Sequence, residues 1–322
     1  MRRTLAAAII ALTVSLASAA LHAQDKKPDF KAPDDIAFRT DDIMSEGTRM
    51  AAEIFAPKNP KSGKLPTIVM SHGWGGIAAS LRRDGIAFAR AGYLVVTFDY
   101  RGWGNSDARL ILADKKPEYK DGKLIAEVKE IRGVVDPIDQ TIDIMNAIHW
   151  VSGEKQCDPE RIGLWGSSYS GGHVVYVAAR EPRIKAFVSQ VGAMDSRWAI
   201  ANPQMRQYTF SQGTARTRGK LGYPKPGEKF GTLTGAPVIE KLATYAPIED
   251  IDRCKNCAKL FIIAENEELF DNKDHAILAY DRAAGVKKLV TVKGIKHYGI
   301  YNEAHDQAQK EAIAWFDEYL KR

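Results

Sequence analysis

Gly163-Leu164-Trp165-Gly166-Ser167-Ser168-Tyr169-Ser170-Gly171-Gly172 decides how the rest of the chain reads. Arg161-Ile162 and Leu164 give it a short apolar entry, and Val174 to Ala179 continue it as a helix. A serine on a tight turn between a strand and a helix, with glycine two residues before it, has the pattern of a nucleophile elbow. Such a turn crowds the neighbours of its serine, and glycine at Gly166 relieves the crowding. Only Ser168 has glycine at −2 and a strand directly behind it, which sets it apart from Ser167 and Ser170. The strict G-x-S-x-G spacing is missed by one residue, because Ser170 stands at +2 and Gly171 follows. The pattern here is G-x-S-Y-x-G, with Ser170 as its variable position.

Working outward, strands and helices alternate. Thr67–Ser71, Tyr93–Asp99, Ile184–Val191, Lys259–Ala264 and Lys287–Val292 read as strands, the first two and Lys259–Ala264 as continuous apolar runs. Such runs belong to strands covered on both faces. Between them, Ile77–Ala91, Pro137–Val151, Lys273–Ala284 and Glu303–Leu320 have helical periodicity. Asp35–Asp42 and Thr48–Phe55 instead alternate apolar and polar around Ser45-Glu46-Gly47, as an antiparallel hairpin does. The expected fold is α/β: a doubly wound, mostly parallel sheet with an N-terminal hairpin. Residues 107–135 read as a polar excursion. Residues 195–250 are too long for a plain connection and are expected to form a cap insertion over the carboxyl edge of the sheet, where active groups gather. The whole of 35–322 is expected to be one domain.

The 322 residues are 45% hydrophobic and 27% charged, enough for a sizeable core, with no repeat or low-complexity tract. Arg2 and Arg3 precede an apolar run from Leu5 to Ala20. With small residues at Ala17-Ser18-Ala19 and again before Gln24, this reads as a secretory signal over 1–23, cleaved after Ala19 or Ala23. The run is shorter than the ~20 residues of a membrane span, so no stable membrane association is expected once it is removed. A polar leader, 24–34, follows. Export implies a periplasmic or secreted protein. Loss of the two arginines lowers the net charge from +6 to +4. No Lys/Arg stripe points to nucleic acid. In an oxidising compartment Cys254-Lys255-Asn256-Cys257 is expected to close a local disulfide, with Cys157 left as a buried small hydrophobe. One C-x-x-C without a second pair does not suggest zinc, and no metal or organic cofactor is expected. The sequence does not set the oligomeric state.

A serine hydroxyl needs a base in hydrogen-bond reach, and the base needs an orienting carboxylate. In this chain order the acid should come next and the histidine last. His297 lies in Gly294-Ile295-Lys296-His297-Tyr298-Gly299, the loop after the last strand, and is the expected base. His173 reads as packed behind the serine, and His275 and His305 as surface residues of helices. The acid should follow Lys259–Ala264. Ala264, Glu267 and Phe270 fit the small-x-x-acid-x-x-apolar register, which places Glu267 ahead of Glu268 and Asp271. Two donors should face the developing oxyanion. The expected pair is the backbone N–H of Tyr169 and that of Trp74, in the glycine-rich loop His72-Gly73-Trp74-Gly75-Gly76.

These motifs resemble the α/β-hydrolase superfamily over nearly the whole chain after the signal. Gly166-Ser167-Ser168-Tyr169-Ser170-Gly171 is similar to the elbow of cocaine-esterase-like and X-prolyl dipeptidyl-peptidase-like hydrolases. Asp99-Tyr100-Arg101-Gly102-Trp103-Gly104-Asn105-Ser106 is similar to the loop after the fourth strand in many hydrolases. The His72–Gly76 loop departs from that branch, which uses a tyrosine side chain in its oxyanion hole, and looks more like dienelactone-hydrolase-type esterases. The expectation is a serine hydrolase taking a small-molecule carboxylic ester through an acyl-enzyme. An amide or peptide hydrolase is the second reading, and a catalytically silent binding protein the third.

Overall fold

The computed structural model describes residues 30–113 and 116–321. The expected signal, 1–23, and most of the expected leader lie outside them. From Ala32 onward the described chain forms one compact unit.

Eight strands form the central sheet: β1 (Ile36–Ser45), β2 (Thr48–Pro57), β3 (Leu65–Ser71), β4 (Leu94–Phe98), β5 (Cys157–Ser167), β6 (Ile184–Gln190), β7 (Ala258–Ala264) and β8 (Lys287–Val292). Their spatial order is β1-β2-β4-β3-β5-β6-β7-β8. β1 and β2 run antiparallel about a tight turn, where Glu46 and Gly47 both take positive φ (47° and 78°), as a two-residue hairpin loop requires. Every pairing from β4 through β3 and β5 to β8 is parallel. β3, β4 and β7 are buried at every residue, which explains their unbroken apolar runs.

The main helices are α1 (Arg82–Arg90), α2 (Pro137–Ser152), α3 (Tyr169–Ala178), α4 (Pro203–Thr217), α5 (Ala276–Arg282) and α6 (His305–Leu320). α2 starts where it does because Asp136 caps the amides of Ile138 and Asp139, with Pro137 at the first helical position. The buried carboxylate of Asp143 on α2 takes Ser45 Oγ at 2.6 Å and Arg101 Nε at 2.5 Å, tying the hairpin to the loop after β4. That loop winds around Asp99, whose carboxylate accepts from the amides of Ala78 and Asn105, both at 2.7 Å.

Residues 107–135 carry more structure than their composition suggests. Arg109–Leu112 pairs antiparallel with Val128–Ile131, and Glu118–Lys120 with Lys123–Ile125. The 195–250 segment holds α4, a short strand pair (Lys229–Phe230 with Leu233–Thr234), and Ala236–Pro237, which pairs with Val134–Val135.

The expected Cys254–Cys257 disulfide is corrected: both thiols are free and buried. Cys254 Sγ lies 3.6 Å from Val175 O and Cys257 Sγ 3.6 Å from Ala258 O, so the sulfurs are directed at different carbonyls. The turn closes instead around the ammonium of Lys259, which is fully buried and donates to Cys254 O at 2.7 Å and Cys257 O at 2.5 Å. Burial pushes the Cys254 thiol up to about 12. Cys157 is buried as expected, beside Thr67 Oγ1 at 3.3 Å. Among the described residues no helix is long and apolar enough to cross a membrane.

Candidate active site

β5 ends in Ser167, and Ser168 stands between it and α3 with φ 57° and ψ −123°. A non-glycine residue holds such a backbone only where its surroundings over-determine it. Here Ser168 N–H donates to Gln190 O at 2.9 Å, and Ser168 O accepts from Gly171 N at 2.9 Å and Ala193 N at 3.1 Å. The main chain pins the turn to the end of β6. A Cβ on Gly166 would meet Ser170 O at 2.3 Å, which is why glycine precedes the serine by two. Ser170 is not a free variable position. It is fully buried, and its hydroxyl bonds Ser71 Oγ at the end of β3 and accepts from Tyr100 OH at 3.4 Å.

The loops after β7 and β8 bring two further groups to Ser168. His297 Nε2 lies 3.0 Å from Ser168 Oγ. His297 Nδ1 lies 2.9 and 2.8 Å from the two oxygens of Glu267, and both side chains are 1% exposed. An ionised carboxylate only accepts, so Nδ1 carries the hydrogen and Nε2 is left free to accept the serine proton. Glu268 does not touch the ring. Its carboxylate takes the backbone N–H of His297 at 2.8 Å, and this bond holds the carboxyl below its ordinary range. Asp271 caps the short turn after β7 by accepting from Lys273 N at 2.9 Å.

Gly73 brings the loop after β3 against the elbow. A Cβ there would meet Ser167 O at 2.8 Å and Ser168 Cβ at 2.9 Å. Trp74 follows, its indole N–H on Gly235 O at 3.0 Å and its ring 5.1 Å from that of Tyr169. Tyr169 opens α3, where an amide has no acceptor within the helix. His72 is buried, donates from Nδ1 to Gly73 O at 3.0 Å, and is pushed down to about 4 by desolvation.

Four contributors were not legible in the sequence. Tyr301 OH meets Ser167 Oγ at 2.8 Å, and Gln190 Nε2 donates to the same hydroxyl at 3.2 Å, strapping the His297 turn to the elbow. His275 is no surface residue: it is buried and accepts Met194 N–H on Nδ1 at 2.8 Å. His305 is buried too, with Nε2 3.0 Å from Asp84 Oδ1. His173 is packed as expected, against Tyr245 OH at 2.5 Å. The signals for these contacts lie in side chains far apart along the chain.

A cleft of about 1330 Å³ opens over Ser168, Tyr169 and His297. Trp198, Phe230 and Leu233 of the 195–250 segment share its walls with Trp74, Leu269 and Phe270. The Phe230 ring lies 5.8 Å from Trp74 and 5.4 Å from Trp198, both tilted by only about 30°. Among the described residues no cluster of His, Cys, Asp or Glu could hold a metal ion.

Residues 46–229, more than half of the chain, match the family model described as X-Pro dipeptidyl-peptidase (S15 family). The chain belongs to this family. It is a hydrolase of the α/β fold, in agreement with the elbow resemblance. Similarity extends to an uncharacterized 31.7 kDa protein in the traX-finO intergenic region of Escherichia coli, 29% identical over 87% of this chain and 99% of that protein. Among solved structures, a hypothetical protein from Pseudomonas aeruginosa superposes with a TM-score of 0.72 at 20% identity, covering 90% of this chain and 96% of that one. Est1E from Butyrivibrio proteoclasticus, solved with ferulic acid bound, superposes with a TM-score of 0.64 at 15% identity, over 88% of this chain and all of that one. Both likenesses concern the fold.

Proposed function

We propose that this S15-family protein is a serine hydrolase that cleaves carboxylic esters of small molecules through an acyl-enzyme. The observation that carries the reading is the line Ser168 Oγ, His297 Nε2, His297 Nδ1, Glu267, with hydrogen-bond distances at both joints. Ser168 attacks the ester carbonyl while His297 takes its proton. Glu267 holds the imidazole in the right tautomer and stabilises the imidazolium. The amides of Tyr169 and Trp74 donate to the oxyanion. His297 then returns the proton to the leaving alcohol, and water releases the acid by the same route. No cofactor takes part in this scheme. The N-terminal charge and apolar pattern support export to the periplasm or beyond, with the protein free of the membrane after signal removal.

An esterase is supported over an X-prolyl peptidase by the loop after β3, which lacks the tyrosine hydroxyl of the X-prolyl-peptidase-like branch. Its Trp74 side chain offers no hydroxyl, and its indole N–H is already committed to Gly235 O, so the oxyanion depends on main-chain donors. A peptidase reading has one observation of its own beside the family match. Asp274 is an exposed carboxylate on the cleft wall, suited to an aminoacyl ammonium.

The test uses p-nitrophenyl acetate and butyrate with the wild type and Ser168→Ala, plus a fluorophosphonate label. The expected result is hydrolysis and labelling of the wild type only. Equal rates in both proteins, with no label on Ser168, would overturn the proposal. X-prolyl anilides cleaved as fast as esters would move it to the peptidase reading.

A further inference from the structure

One polar group in the cleft has no task in the scheme above. His275 lines the cleft beside Asp274 and Leu278, and its ring lies 4.5 Å from that of Phe270. Phe270 in turn packs edge-on to His297, with centroids 5.8 Å apart. One aromatic ring therefore separates His275 from His297. Met194 N–H donates to His275 Nδ1 at 2.8 Å. A ring nitrogen that accepts cannot carry the hydrogen of a neutral imidazole, so that hydrogen sits on Nε2. Burial holds the imidazole below its ordinary range and keeps it neutral at neutral pH. Among the described residues Nε2 has no hydrogen-bond partner, and it is not sealed from solvent as the His72 Nε2 atom is. The result is a fixed N–H donor, held by main chain on one side and an aromatic ring on its face, in a cleft with nothing of its own to receive it.

The surroundings say which acceptor it suits. Asp195, Asp274, Glu267 and Asp271 all place negative charge toward this imidazole. Arg197, the cation on the cleft wall, is already paired with Asp195 and Glu249. A carboxylate or phosphate would be repelled there, and an uncharged oxygen would not. A donor left unpaired by one substrate and paired by another discriminates between them more sharply than a methylene does.

We infer that His275 is a specificity-determining residue that recognises esters carrying a second, uncharged oxygen acceptor (a carbonyl, ether or hydroxyl) a few atoms from the scissile carbonyl. This rests on the esterase reading above and names the substrate class for the same site.

The test compares matched esters. One series is p-nitrophenyl alkanoates with an ether oxygen at each chain position from the third to the sixth, each against its all-carbon isostere. The other is acetates of the matching alkoxy alcohols and plain alcohols. For each pair the ratio of kcat/KM is taken for the wild type, His275→Phe and His275→Gln. Phenylalanine removes both ring nitrogens, whereas glutamine keeps an amide that can present an N–H near the Nε2 position. At least one oxygen-bearing ester should be preferred by the wild type. That preference should fall about tenfold in His275→Phe, the size of one hydrogen bond, and recover in part in His275→Gln. An unchanged ratio in His275→Phe across both series overturns the inference. Binding of the same intact esters to Ser168→Ala, followed by tryptophan fluorescence, gives the ratio without turnover. Absence of hydrolysis in every pair, with a His275-dependent binding ratio, would sink the catalytic reading alone. A binding ratio indifferent to His275→Phe would sink this one.

Discussion

Glu267→Gln is the substitution that tests the site most directly. The wild-type carboxylate offers two acceptors to His297 Nδ1, at 2.8 and 2.9 Å, in a setting where both side chains are 1% exposed. Glutamine has nearly the same shape but offers one acceptor and one donor. With its N–H toward Nδ1, the imidazole must carry its hydrogen on Nε2, facing Ser168, and cannot take the serine proton. With its oxygen toward Nδ1, the tautomer is right, but the imidazolium formed in the reaction has lost its charged partner. A hydrogen bond to a charged group contributes roughly 1.5–3 kcal/mol, and each 1.36 kcal/mol is about tenfold in rate. Charge alone therefore accounts for about 10- to 150-fold. The wrong tautomer adds to this, so kcat should fall by about 10³–10⁴, as when the acid of a Ser-His-Asp triad is amidated. Glu268→Gln is the control. Glu268 accepts from the His297 amide and does not touch the ring, and its exposed position screens its charge, so losing this bond should cost about 0.5–1.5 kcal/mol, or about 2- to 10-fold. Initial rates on p-nitrophenyl butyrate, normalised to the fraction labelled by fluorophosphonate, read both variants. The reasoning is refuted if Glu267→Gln keeps more than a tenth of wild-type kcat, or if Glu268→Gln falls as far.

Two further outcomes are expected. Tyr301→Phe removes the hydroxyl that meets Ser167 Oγ but leaves the ring beside His297. It should lower kcat about 3- to 10-fold with KM little changed, and an equal loss in both parameters would argue against a positioning role. Burial pushes His72 down to about 4 and His173 to about 3. Between pH 6.5 and 4 the unfolded chain binds protons that these folded imidazoles refuse, so stability falls as pH falls through that window. The His72 contribution alone is about 3 kcal/mol. Urea unfolding at pH 7 and pH 4.5 should show the loss, and His173→Gln should make the slope shallower.

The parts of this molecule that were legible in its sequence are those written in local pattern. Unbroken apolar runs marked β3, β4 and β7 because strands covered on both faces leave no polar side. Gly166 and Ser168 marked the elbow because the steric demand acts between residues two apart. Glu267 could be set ahead of Glu268 because the turn after β7 fixes which of the neighbouring acids points inward, and the structure does bring Glu267 to His297. What escaped was decided by groups that meet only in three dimensions. Nothing near Tyr301 in the chain announces Ser167, and nothing near His275 announces Met194 N–H. The Cys254–Cys257 spacing invited a disulfide because an exported chain enters an oxidising compartment, and nothing local announced the part played by Lys259. Its ammonium instead turned inward and claimed the carbonyls of the turn. The same blindness made residues 107–135 look featureless, since their strand pairs, Arg109–Leu112 with Val128–Ile131 above all, are assembled across a long gap.

The elbow has one more property. At residue 168 itself the backbone is held by main-chain bonds: Ser168 N–H to Gln190 O, and Ser168 O to the amides of Gly171 and Ala193. The side chain at 168 contributes nothing to holding φ at 57°. The position is thus a socket whose backbone is set by its neighbours and not by a hydrogen bond from the side chain it presents. A thiol placed there would face the same His297 Nε2 and open onto the same cleft. The residues that cannot be exchanged are the silent ones around it. Gly166 and Gly172 would drive a Cβ into Ser170 O at 2.3 Å and Ala193 O at 2.1 Å. For a lineage on this frame, the nucleophile sits on a backbone held by others, while changing the glycines means losing the frame.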